Sequence, residues 1–256
     1  ALRGFKKIAS ELIAIVTVAD DGGSSGALRR DIGILPPGDI RNCMAALSDD
    51  EEFLTQVLQY RFPAESSVGG HNLGNLLLTA LANITGSFEQ GVNELSRLLS
   101  IHGKVIPSTL SDINLVADIE TERNGAKLVE TVRGESTITE RNGRIIRLDI
   151  VPCDAAANPA ALREILSADL IAMGPGSLYT SVLPNLKVRG IHQAIQASHA
   201  KKIYVCNVST QPGETDHYTC YDHAKAIQNA LPNVSLDGII CNNNHEAALS
   251  VPVQWV

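Results

Sequence analysis

The sequence lacks the usual features of membrane, secreted and zinc-binding proteins. Its longest apolar run, around Leu76–Ile84, is far shorter than the roughly 20 residues that a membrane span requires. No signal peptide is visible. The five cysteines contain no CxxC pair, which argues against a disulfide framework and a zinc site. We therefore expect a cytoplasmic protein without membrane insertion, whose cysteines are reduced and lie mostly in the core.

Motifs that mark nucleotide-binding sites are also missing. The sequence contains neither a GxxxxGK[ST] phosphate loop nor a GxGxxG dinucleotide fingerprint. No cysteine is accompanied by a catalytic signature, and we find little support for nucleophilic catalysis. The net charge of −7 argues against nucleic-acid binding by a diffuse basic surface, because phosphate neutralisation requires clustered Lys and Arg. Phosphate binding, if present, has to come from loop geometry.

The composition is that of a folded globular protein. Hydrophobic residues make up 44% and charged residues 19% of the sequence, which is enough apolar material for a substantial core. We expect a single domain over residues 1–256 and a homo-oligomer, since symmetric dimers are common among cytoplasmic proteins of this size.

Four short apolar runs have the character of buried strands: Leu12–Val18, Leu170–Met173, Ile203–Cys206 and Gly238–Cys241. All four lead into loops rich in Gly, Ser, Asn or Asp, and three follow helical patterns. Strands that alternate with helices predict a parallel sheet covered on both faces. The ligand crevice of such a sheet lies beyond the carboxyl ends of its strands. We therefore expect these loops to share one edge of the molecule.

Apolar residues at helical spacing predict four helices, over Asp39–Leu47, Glu51–Tyr60, His71–Ile84 and Phe88–Ile101. Residues 105–150 differ, with β-branched alternation and two Asn-Gly dipeptides, at Asn124 and Asn142. Asn-Gly favours a tight hairpin turn, because both central positions tolerate positive φ. This region is predicted to be a small antiparallel β insertion.

The loop after the first strand contains paired carboxylates, glycines and serines. Glycines let the backbone approach a phosphate, serines add hydroxyl donors, and carboxylates can hold Mg²⁺ or sugar hydroxyls. The alternative is a surface turn with solvated aspartates. The ligand-binding candidates are Asp20, Asp21, Gly22, Gly23, Ser24 and Ser25, and the metal candidates are Asp20 and Asp21.

Two further loops open predicted helices. Asp39 follows Pro-Pro-Gly and either caps its helix or orients a substrate together with Arg41 and Asn42. His71 and Asn75 are four residues apart, so a helix that begins here carries both on one face. With Asn72 they could bind an anion or a base edge at a helix amino end, although a lone histidine is more often structural.

Two loops follow the later strands. The first contains Gly174, Pro175, Gly176, Ser177, Tyr179, Thr180 and Ser181, whose N–H and hydroxyl groups are predicted to cradle a diphosphate. The second offers hydrogen-bonding groups for a base or sugar, from Asn207, Thr210, Gln211, Gly213 and Glu214. It could instead be a helix-entry loop capped by Thr215 or Asp216. A metal site at Asp216, His217 and His223 has only weak support, because the spacing is not diagnostic.

Six segments in this order resemble the bacterial YvcK proteins, also called gluconeogenesis factors: VTVADDGGSSG, PPGDIRN, YRFP, GGHNLGN, MGPGSLYTSVLPNL and NVSTQPGETD. The resemblance extends from Leu2 to about Asn242. It implies an α/β fold, a Rossmann-like parallel-sheet sandwich of the CofD type. It also implies binding of UDP-sugars such as UDP-N-acetylglucosamine, a role in carbon metabolism and in control of cell shape or envelope, and protein partners in that regulation.

A more distant resemblance is to CofD, a Mg²⁺-dependent 2-phospho-L-lactate transferase that acts on a deazaflavin. It implies that Asp39 is the substrate-contacting, catalytic aspartate, that residues 174–181 form the phosphate loop, and that Mg²⁺ is the cofactor. The segments HNLGN and QPGETD follow the YvcK pattern instead, so a ligand-responsive regulator is favoured over a transferase. An interaction scaffold with an empty pocket is the third alternative.

YvcK-like proteins normally carry a strand and a GGGTG loop before the segment that matches Leu2, and they continue beyond Asn244. We expect that loop to supply part of the nucleotide site. The site candidates from this sequence are therefore an incomplete set.

Overall fold

A computed structural model describes residues 1–123, 125–246 and 253–256. The chain divides into two compact units, Ala1–Asp112 (unit 1) and Ile113–Val256 (unit 2). Both units contain helices and parallel strands, and unit 2 also contains an antiparallel sheet. The mixed α/β architecture with a small antiparallel sheet agrees with the fold class that the sequence predicts.

Unit 1 consists of helices packed beside a pair of parallel strands. Its elements in chain order are α1 (Leu2–Phe5), β1 (Ile13–Val16), α2 (Gly23–Ile32), α3 (Gly38–Leu47), α4 (Glu51–Gln59), α5 (Leu73–Thr85), α6 (Phe88–Leu98) and β2 (Lys104–Pro107). β1 and β2 are paired in parallel, with Ile13 opposite Lys104.

The core of unit 1 lies between this strand pair and the helices. Ala14 and Val16 alternate with less buried residues along β1 and point into the core. There they join Met44 from α3, Leu78 from α5 and Leu95 from α6. Complete burial of an aliphatic side chain of this size contributes about 1.5–3 kcal/mol, so these contacts fix the helices against the strands. As a result, the amino-terminal ends of α3 and α5 have defined positions.

Unit 2 contains the remaining elements: β3 (Asn114–Arg123), β4 (Ala126–Arg133), α7 (Glu135–Glu140), β5 (Arg144–Val151), α8 (Pro159–Ser167), β6 (Leu170–Met173), α9 (Leu183–Lys187), α10 (Ile191–Ala197), β7 (Lys201–Val205), α11 (Cys220–Ala230) and β8 (Gly238–Ile240). A π-helical turn, Leu178–Val182, precedes α9. The strand order is β4-β3-β5 in the antiparallel sheet and β6-β7-β8 in the parallel sheet.

The antiparallel sheet confirms part of the prediction for residues 105–150 and corrects the rest. β3 and β4 are paired up to Arg123 and Ala126, and Gly125 between them has φ +77°. The predicted turn residue Asn124 lies outside the described residues. The predicted hairpin at Asn142 is wrong, because Asn142 connects α7 to β5, although its φ of +52° is the left-handed conformation that Asn-Gly favours. The start at residue 105 is also too early, since β2 belongs to the parallel pair of unit 1.

The strands predicted from apolar runs are confirmed as parallel strands, but the prediction that they are buried is wrong for β6 and β8, where Leu170, Ile239 and Ile240 are 44%, 46% and 52% exposed. β6 has the predicted bounds, while β1, β7 and β8 differ from the prediction by one to two residues at one or both ends. The four predicted helices are present as α3 to α6. Their starts differ from the predicted starts by at most two residues, and their ends by at most three. No helix within the described ranges is both long and apolar enough to cross a membrane.

The prediction that all the cysteines are reduced is wrong for one pair. Cys220, at the start of α11, forms a disulfide with Cys241, which follows β8. The 21-residue separation carries no sequence signal, because helix and strand meet only in the folded chain. Cys206 is buried, but Cys153 is exposed. Burial and, to a smaller extent, the neighbouring charge of Asp39 raise the pKa of the Cys43 thiol to about 12, so this thiol is a poor nucleophile.

Candidate functional site

Unit 1 contains a polar cavity of about 210 Å³, which we call the unit 1 cavity. It lies where α2, α3 and α5 begin. The lining residues come from the first three predicted loops and from Arg61: Asp20, Gly22, Gly23, Ser24, Ser25, Gly38, Asp39, Arg41, Asn42, Arg61, Asn72 and Asn75. Apart from glycine, every residue in this set carries a polar side chain. The structure therefore brings most candidates from these three loops together.

Three helix amino-terminal ends meet at the unit 1 cavity. The residues that precede the helices are Gly22 for α2, Pro37 for α3 and Asn72 for α5, and within the described ranges no side chain caps any of these ends. The first N–H groups of a helix have no partner inside it, and the helix dipole makes this end electropositive. The prediction that Asp39 caps α3 is wrong, because Asp39 lies inside the helix, at its second residue.

Two arginines line the same cavity, and both are bound to neutral groups. Arg41 is only 9% exposed and donates to the side-chain oxygens of Asn75 and Asn42, each over 3.0 Å. Its Nε is buried without a hydrogen-bond partner among the described residues. Arg61 donates to the carbonyl of Gly70. In the described part of the chain no carboxylate oxygen lies within 4.0 Å of either guanidinium, so neither charge is directly paired.

Ser24 connects the first predicted loop to the third. Its Oγ lies 3.1 Å from Nδ1 of His71 and accepts from Nδ2 of Asn75 over 3.0 Å. The backbone N–H of Asn72 reaches the same oxygen over 3.4 Å. The sequence predicted His71 and Asn75 on one helical face, but His71 lies before α5. Both side chains nevertheless contact Ser24.

Residues 22–26 read GGSSG, which fits the GxSxG pattern of serine hydrolases and qualifies the sequence-based argument against nucleophilic catalysis. The local geometry differs from that of a nucleophile elbow. A nucleophile elbow presents its serine on a strained turn, whereas Ser24 lies in the first turn of α2, is buried and accepts hydrogen bonds from two N–H donors. The arrangement therefore fits a structural and ligand-facing role for Ser24.

Two carboxylates line the cavity beside these donors. Burial and, to a smaller extent, the charge of Asp20 raise the pKa of Asp39 to about 6, against the opposing charge of Arg41. Asp20 accepts from the N–H of Gly22 over 2.9 Å. Gly38 packs closely against the Asp20 side chain, because an added Cβ at Gly38 would lie 2.6 Å from an Asp20 carboxylate oxygen. The cavity thus holds acidic and basic groups side by side.

The residues predicted to bind a metal ion can be compared with the clusters of ligand side chains in the structure. Among the described residues there is no group of three or more His, Cys, Asp and Glu side chains that could hold a metal ion, which also applies to Asp216, His217 and His223. Asp20 lines the unit 1 cavity, but Asp21 is not among its lining residues. Mg²⁺ commonly binds proteins through one or two carboxylates and completes its shell with water and substrate phosphate. Asp20 with Asp39 would be the pair to hold it.

In unit 2, the fourth and fifth predicted loops contact each other. The N–H of Gly176 donates to Oδ1 of Asn207 over 3.0 Å, and Nδ2 of Asn207 donates to Oε1 of Gln211 over 2.9 Å. Glu214 is 6% exposed and accepts from the hydroxyl of Ser177, from the hydroxyl of Thr180 and from the N–H of Tyr179. The donors of the predicted diphosphate cradle are therefore bound within unit 2.

Other candidates from these loops have structural partners. Thr210 is bound to the backbone of Gln254 through its N–H and its hydroxyl. Gly213 packs so closely on Thr139 that an added Cβ would lie 2.4 Å from its carbonyl oxygen. Ser181 accepts from Asn185 through its carbonyl. Gly174 and Pro175 have no polar side chain and could offer a ligand only backbone groups.

Three residues near these sites were not among the candidates predicted from sequence. Arg61 and Gly38 line the unit 1 cavity, and Tyr218 in unit 2 shares a 2.7 Å hydrogen bond with the hydroxyl of Tyr179. Arg61 lies in the YRFP segment, which had no assigned role, and Gly38 directly precedes the candidate Asp39. Burial and this hydrogen bond raise the pKa of Tyr179, which keeps its hydroxyl protonated. Tyr218 had no sequence signal.

Comparison with known proteins places these features in a family. The family model described as 2-phospho-L-lactate transferase CofD matches residues 1–253. A gluconeogenesis factor from Bacillus subtilis (strain 168) is 48% identical over 242 residues, which cover 94% of this chain and 74% of that protein. A gluconeogenesis factor from Halalkalibacterium halodurans is 49% identical over 226 residues, covering 88% of this chain and 68% of that protein.

A Nostoc relative is 48% identical over 251 residues, covering 98% of this chain, and the chain spans only about half of that protein, 54%. A crystal structure of a Bacillus halodurans protein matches with a TM-score of 0.85 and 45% identity, covering 95% of this chain and 76% of that one. A structure of a UPF0052 family member from the same organism has a TM-score of 0.83 at 46% identity, with 93% and 74% covered.

The fold and these matches define the class as the CofD-like α/β proteins. Within this class, the chain belongs to the family of the gluconeogenesis factors, the YvcK proteins.

Proposed function

We propose that this chain binds a nucleotide sugar of the UDP-N-acetylglucosamine class and acts as a ligand-responsive regulator in carbon metabolism and in control of cell shape or envelope. The observation that carries the proposal is the unit 1 cavity, where three helix ends without side-chain caps meet two arginines that are bound to neutral groups. Family membership supports the metabolic role, since the relatives are named gluconeogenesis factors.

The three helix ends and the two arginines favour an anionic ligand group on their side of the cavity, away from Asp20 and Asp39. Phosphate groups bind at helix amino-terminal ends, because backbone N–H groups and the helix dipole both favour negative charge. Guanidinium groups add charge-assisted hydrogen bonds to phosphate oxygens. The buried Nε of Arg41 has no partner within the described ranges, and a buried donor of this kind costs free energy until a ligand or water meets it.

The remaining lining groups suit the polar part of a nucleotide sugar. The Asp20 carboxylate and the side-chain amides of Asn42 and Asn72 can bind ribose or sugar hydroxyls. A volume of about 210 Å³ is smaller than a whole nucleotide sugar would fill. We therefore assign the phosphate groups and one adjoining sugar to this cavity, and leave the base outside it.

A transferase of the CofD type is the second candidate, and it is supported by Asp39. A partly buried carboxyl with a pKa of about 6 next to a second carboxylate is suited to proton transfer near neutral pH. Under this alternative, Mg²⁺-dependent turnover of a nucleoside diphosphate donor is detectable and collapses in Asp39→Asn. Turnover that is unchanged in this variant would remove Asp39 from the mechanism. An interaction scaffold predicts no ligand at all.

A thermal-shift panel separates the three functions. UDP-N-acetylglucosamine, UDP-glucose, UDP and inorganic phosphate are each added to the wild-type chain. Ligand at one hundred times its dissociation constant stabilises the folded state by about 2.7 kcal/mol, so a nucleotide-sugar binder gives a clear rise in the melting temperature. A regulator shows this rise without turnover, a transferase shows it with turnover, and a scaffold shows neither. Light scattering of the same samples tests the proposed homo-oligomer.

A further inference from the structure

The segment 207–219 leads from β7 to α11, and a disulfide attaches its far end to the parallel sheet. Its near end follows β7, where Val205 lies opposite Ile240 of β8. Its far end is followed by Cys220, the first residue of α11, which is bonded to Cys241 directly after β8. Both ends of the segment are therefore attached to the same two neighbouring strands, one through the chain and the other through sulfur.

Tyr218 lies at the far end of this segment and connects it to the π-helical turn after β6. Its hydroxyl shares a 2.7 Å hydrogen bond with that of Tyr179, and its ring packs edge-to-face on His223 with 5.5 Å between the ring centroids. His223 lies in the first turn of α11, is fully buried, and its Nδ1 contacts the carbonyl of Thr219 over 3.0 Å. The position of Tyr218 thus depends on the first turn of α11, which the disulfide holds.

The rest of the segment and of α11 has attachments that do not involve sulfur. Asn207 accepts from the N–H of Gly176, and Thr210 is bound to the backbone of Gln254. Further along α11, Ile227 is fully buried. Loss of the disulfide therefore leaves the start of the segment and the body of α11 in place. Its effect is confined to the end of the segment and the first turn of α11.

The disulfide is open to a reductant. Cys241 is exposed and Cys220 is only partly buried, whereas the free Cys206, whose N–H donates to β8, is buried. β8 itself is the last strand in the order β6-β7-β8 and has only three residues. Thiols reduce exposed disulfides more readily than buried ones, because the attacking thiolate needs access to sulfur. The bond can therefore be broken and formed again in the folded chain.

We propose that the Cys220–Cys241 disulfide is a redox switch that sets the contact between Tyr218 and Tyr179. A dithiol reductant transfers two electrons and two protons to the bond, so that both cysteines become thiols and the reductant becomes a disulfide. The first turn of α11 is then released from β8, and the hydrogen bond between the two tyrosines opens. Reoxidation by a small disulfide reverses each step. The loops after β6 and β7 thus respond to the thiol redox state, with or without a ligand in the unit 1 cavity.

The test is amide hydrogen exchange, followed by NMR on the folded, ¹⁵N-labelled chain before and after treatment with dithiothreitol. The reporters are the amides of Tyr218, Asp222 and His223, whose hydrogen bonds close the end of the segment and the first turn of α11. Reduction opens this turn, so exchange at these amides should become about tenfold faster or more, while exchange around Ile227 stays unchanged. Oxidised dithiothreitol should restore slow exchange.

The ring resonances of Tyr179 report the contact between the tyrosines. Tyr218→Phe keeps the ring that packs on His223 but lacks the hydroxyl that is bonded to Tyr179. On reduction, the Tyr179 resonances of the wild-type chain should move to the positions seen in oxidised Tyr218→Phe. In the variant itself, reduction should move them much less.

Serine variants separate the disulfide from the other cysteines. Cys220→Ser should show fast exchange with and without dithiothreitol. Cys153→Ser is the matched control, because it removes an exposed free thiol of the same unit, and it should respond to dithiothreitol as wild type does. If Cys220→Ser is poorly folded, Cys241→Ser removes the same bond at an exposed position outside the helix and should give the same fast exchange.

Three results would overturn the proposal. They are a disulfide that dithiothreitol leaves intact in the folded chain, a reduction that changes neither exchange at Tyr218 nor the ring resonances of Tyr179, and a reduction that unfolds the whole chain, as circular dichroism would show. In each case the bond serves structure alone. No ligand is added in this experiment, so its failure leaves the proposed nucleotide-sugar binding untouched, and absence of that binding leaves the switch untouched.

Discussion

Nδ2 of Asn75 donates to Oγ of Ser24 over 3.0 Å, which joins the first turn of α5 to the first turn of α2. The two residues are 51 positions apart in the sequence. Arg41 from α3 donates to the other end of the same Asn75 side chain. One amide thus connects the three helix ends of the unit 1 cavity.

Ser24→Ala should destabilise the chain. The substitution leaves the buried Nδ2 of Asn75 with only a long 3.4 Å bond to Oγ of Ser25, and it removes the acceptor of the Asn72 N–H and the partner of His71. Unsatisfied buried groups of this kind cost about 1–3 kcal/mol, which urea denaturation can measure. The control is Ser66→Ala, whose exposed hydroxyl bonds only to the carbonyl of Pro63. A loss in Ser24→Ala no greater than in the control would mean that this hydrogen bond does not organise the helix ends.

Asp39 should make the free energy of unfolding depend on pH. Its folded-state pKa is raised from 3.8 to about 6, so between these values the folded state binds more protons than the unfolded state and stability falls as pH rises. Asp39→Asn removes this dependence. The variant should therefore be more stable than wild type above pH 6, with the difference shrinking as the pH falls towards 4.

Urea midpoints at pH 4, 6 and 8 test this expectation. Asp31→Asn, which neutralises an exposed aspartate on α2, is the charge-matched control and should follow the wild-type curve. A wild-type advantage over Asp39→Asn that grows with pH would reverse the sign and contradict the burial of this carboxyl.

Gly38→Ala should close part of the unit 1 cavity. The added Cβ would lie 2.6 Å from both an Asp20 carboxylate oxygen and the Ser25 hydroxyl, so these groups must shift. Such overpacking costs about 1–3 kcal/mol and should weaken nucleotide-sugar binding by at least about tenfold. Gly4→Ala is the control, because an added Cβ there meets nothing within 4 Å. Calorimetry that finds equal affinity in both variants would place the ligand elsewhere.

The disulfide predicts how many cysteine thiols can be titrated. Under denaturing, non-reducing conditions the described structure implies three titratable thiols, from Cys43, Cys153 and Cys206. After reduction, five thiols should titrate. Reduction should also lower stability, by about 3 kcal/mol for a loop of this length if chain entropy dominates. Five thiols before reduction would show that Cys220 and Cys241 are not joined.

The strands and the first three site loops could be predicted from sequence because the signal is local. The run Leu170–Met173 is apolar over its whole length and ends at Gly174, so strand and loop boundary are both visible. The GGHNLGN segment also places its polar residues directly before an apolar helical pattern. Burial could not be predicted in the same way, because along β6 only Met173 is buried and Leu170 is 44% exposed.

The errors arise where distant residues decide the outcome. Asn142-Gly143 satisfies the local rule for a hairpin, but α7 intervenes before β5. Neither the Cys220–Cys241 bond nor the contact of Glu214 with Ser177 leaves a pattern in sequence, because each depends on how helices and loops pack. A cap was one of two alternatives for Asp39, because helix starts are uncertain by one or two residues in any local pattern.

The most direct test of the account is calorimetric titration of UDP-N-acetylglucosamine into wild type, Arg61→Gln and Arg97→Gln. Arg61 lines the unit 1 cavity, whereas Arg97 is an exposed arginine of α6 that pairs with Glu94. The account predicts saturable binding to wild type and Arg97→Gln, and binding about tenfold or more weaker in Arg61→Gln. Absence of saturable binding to wild type, or equal affinity in all three chains, would contradict it.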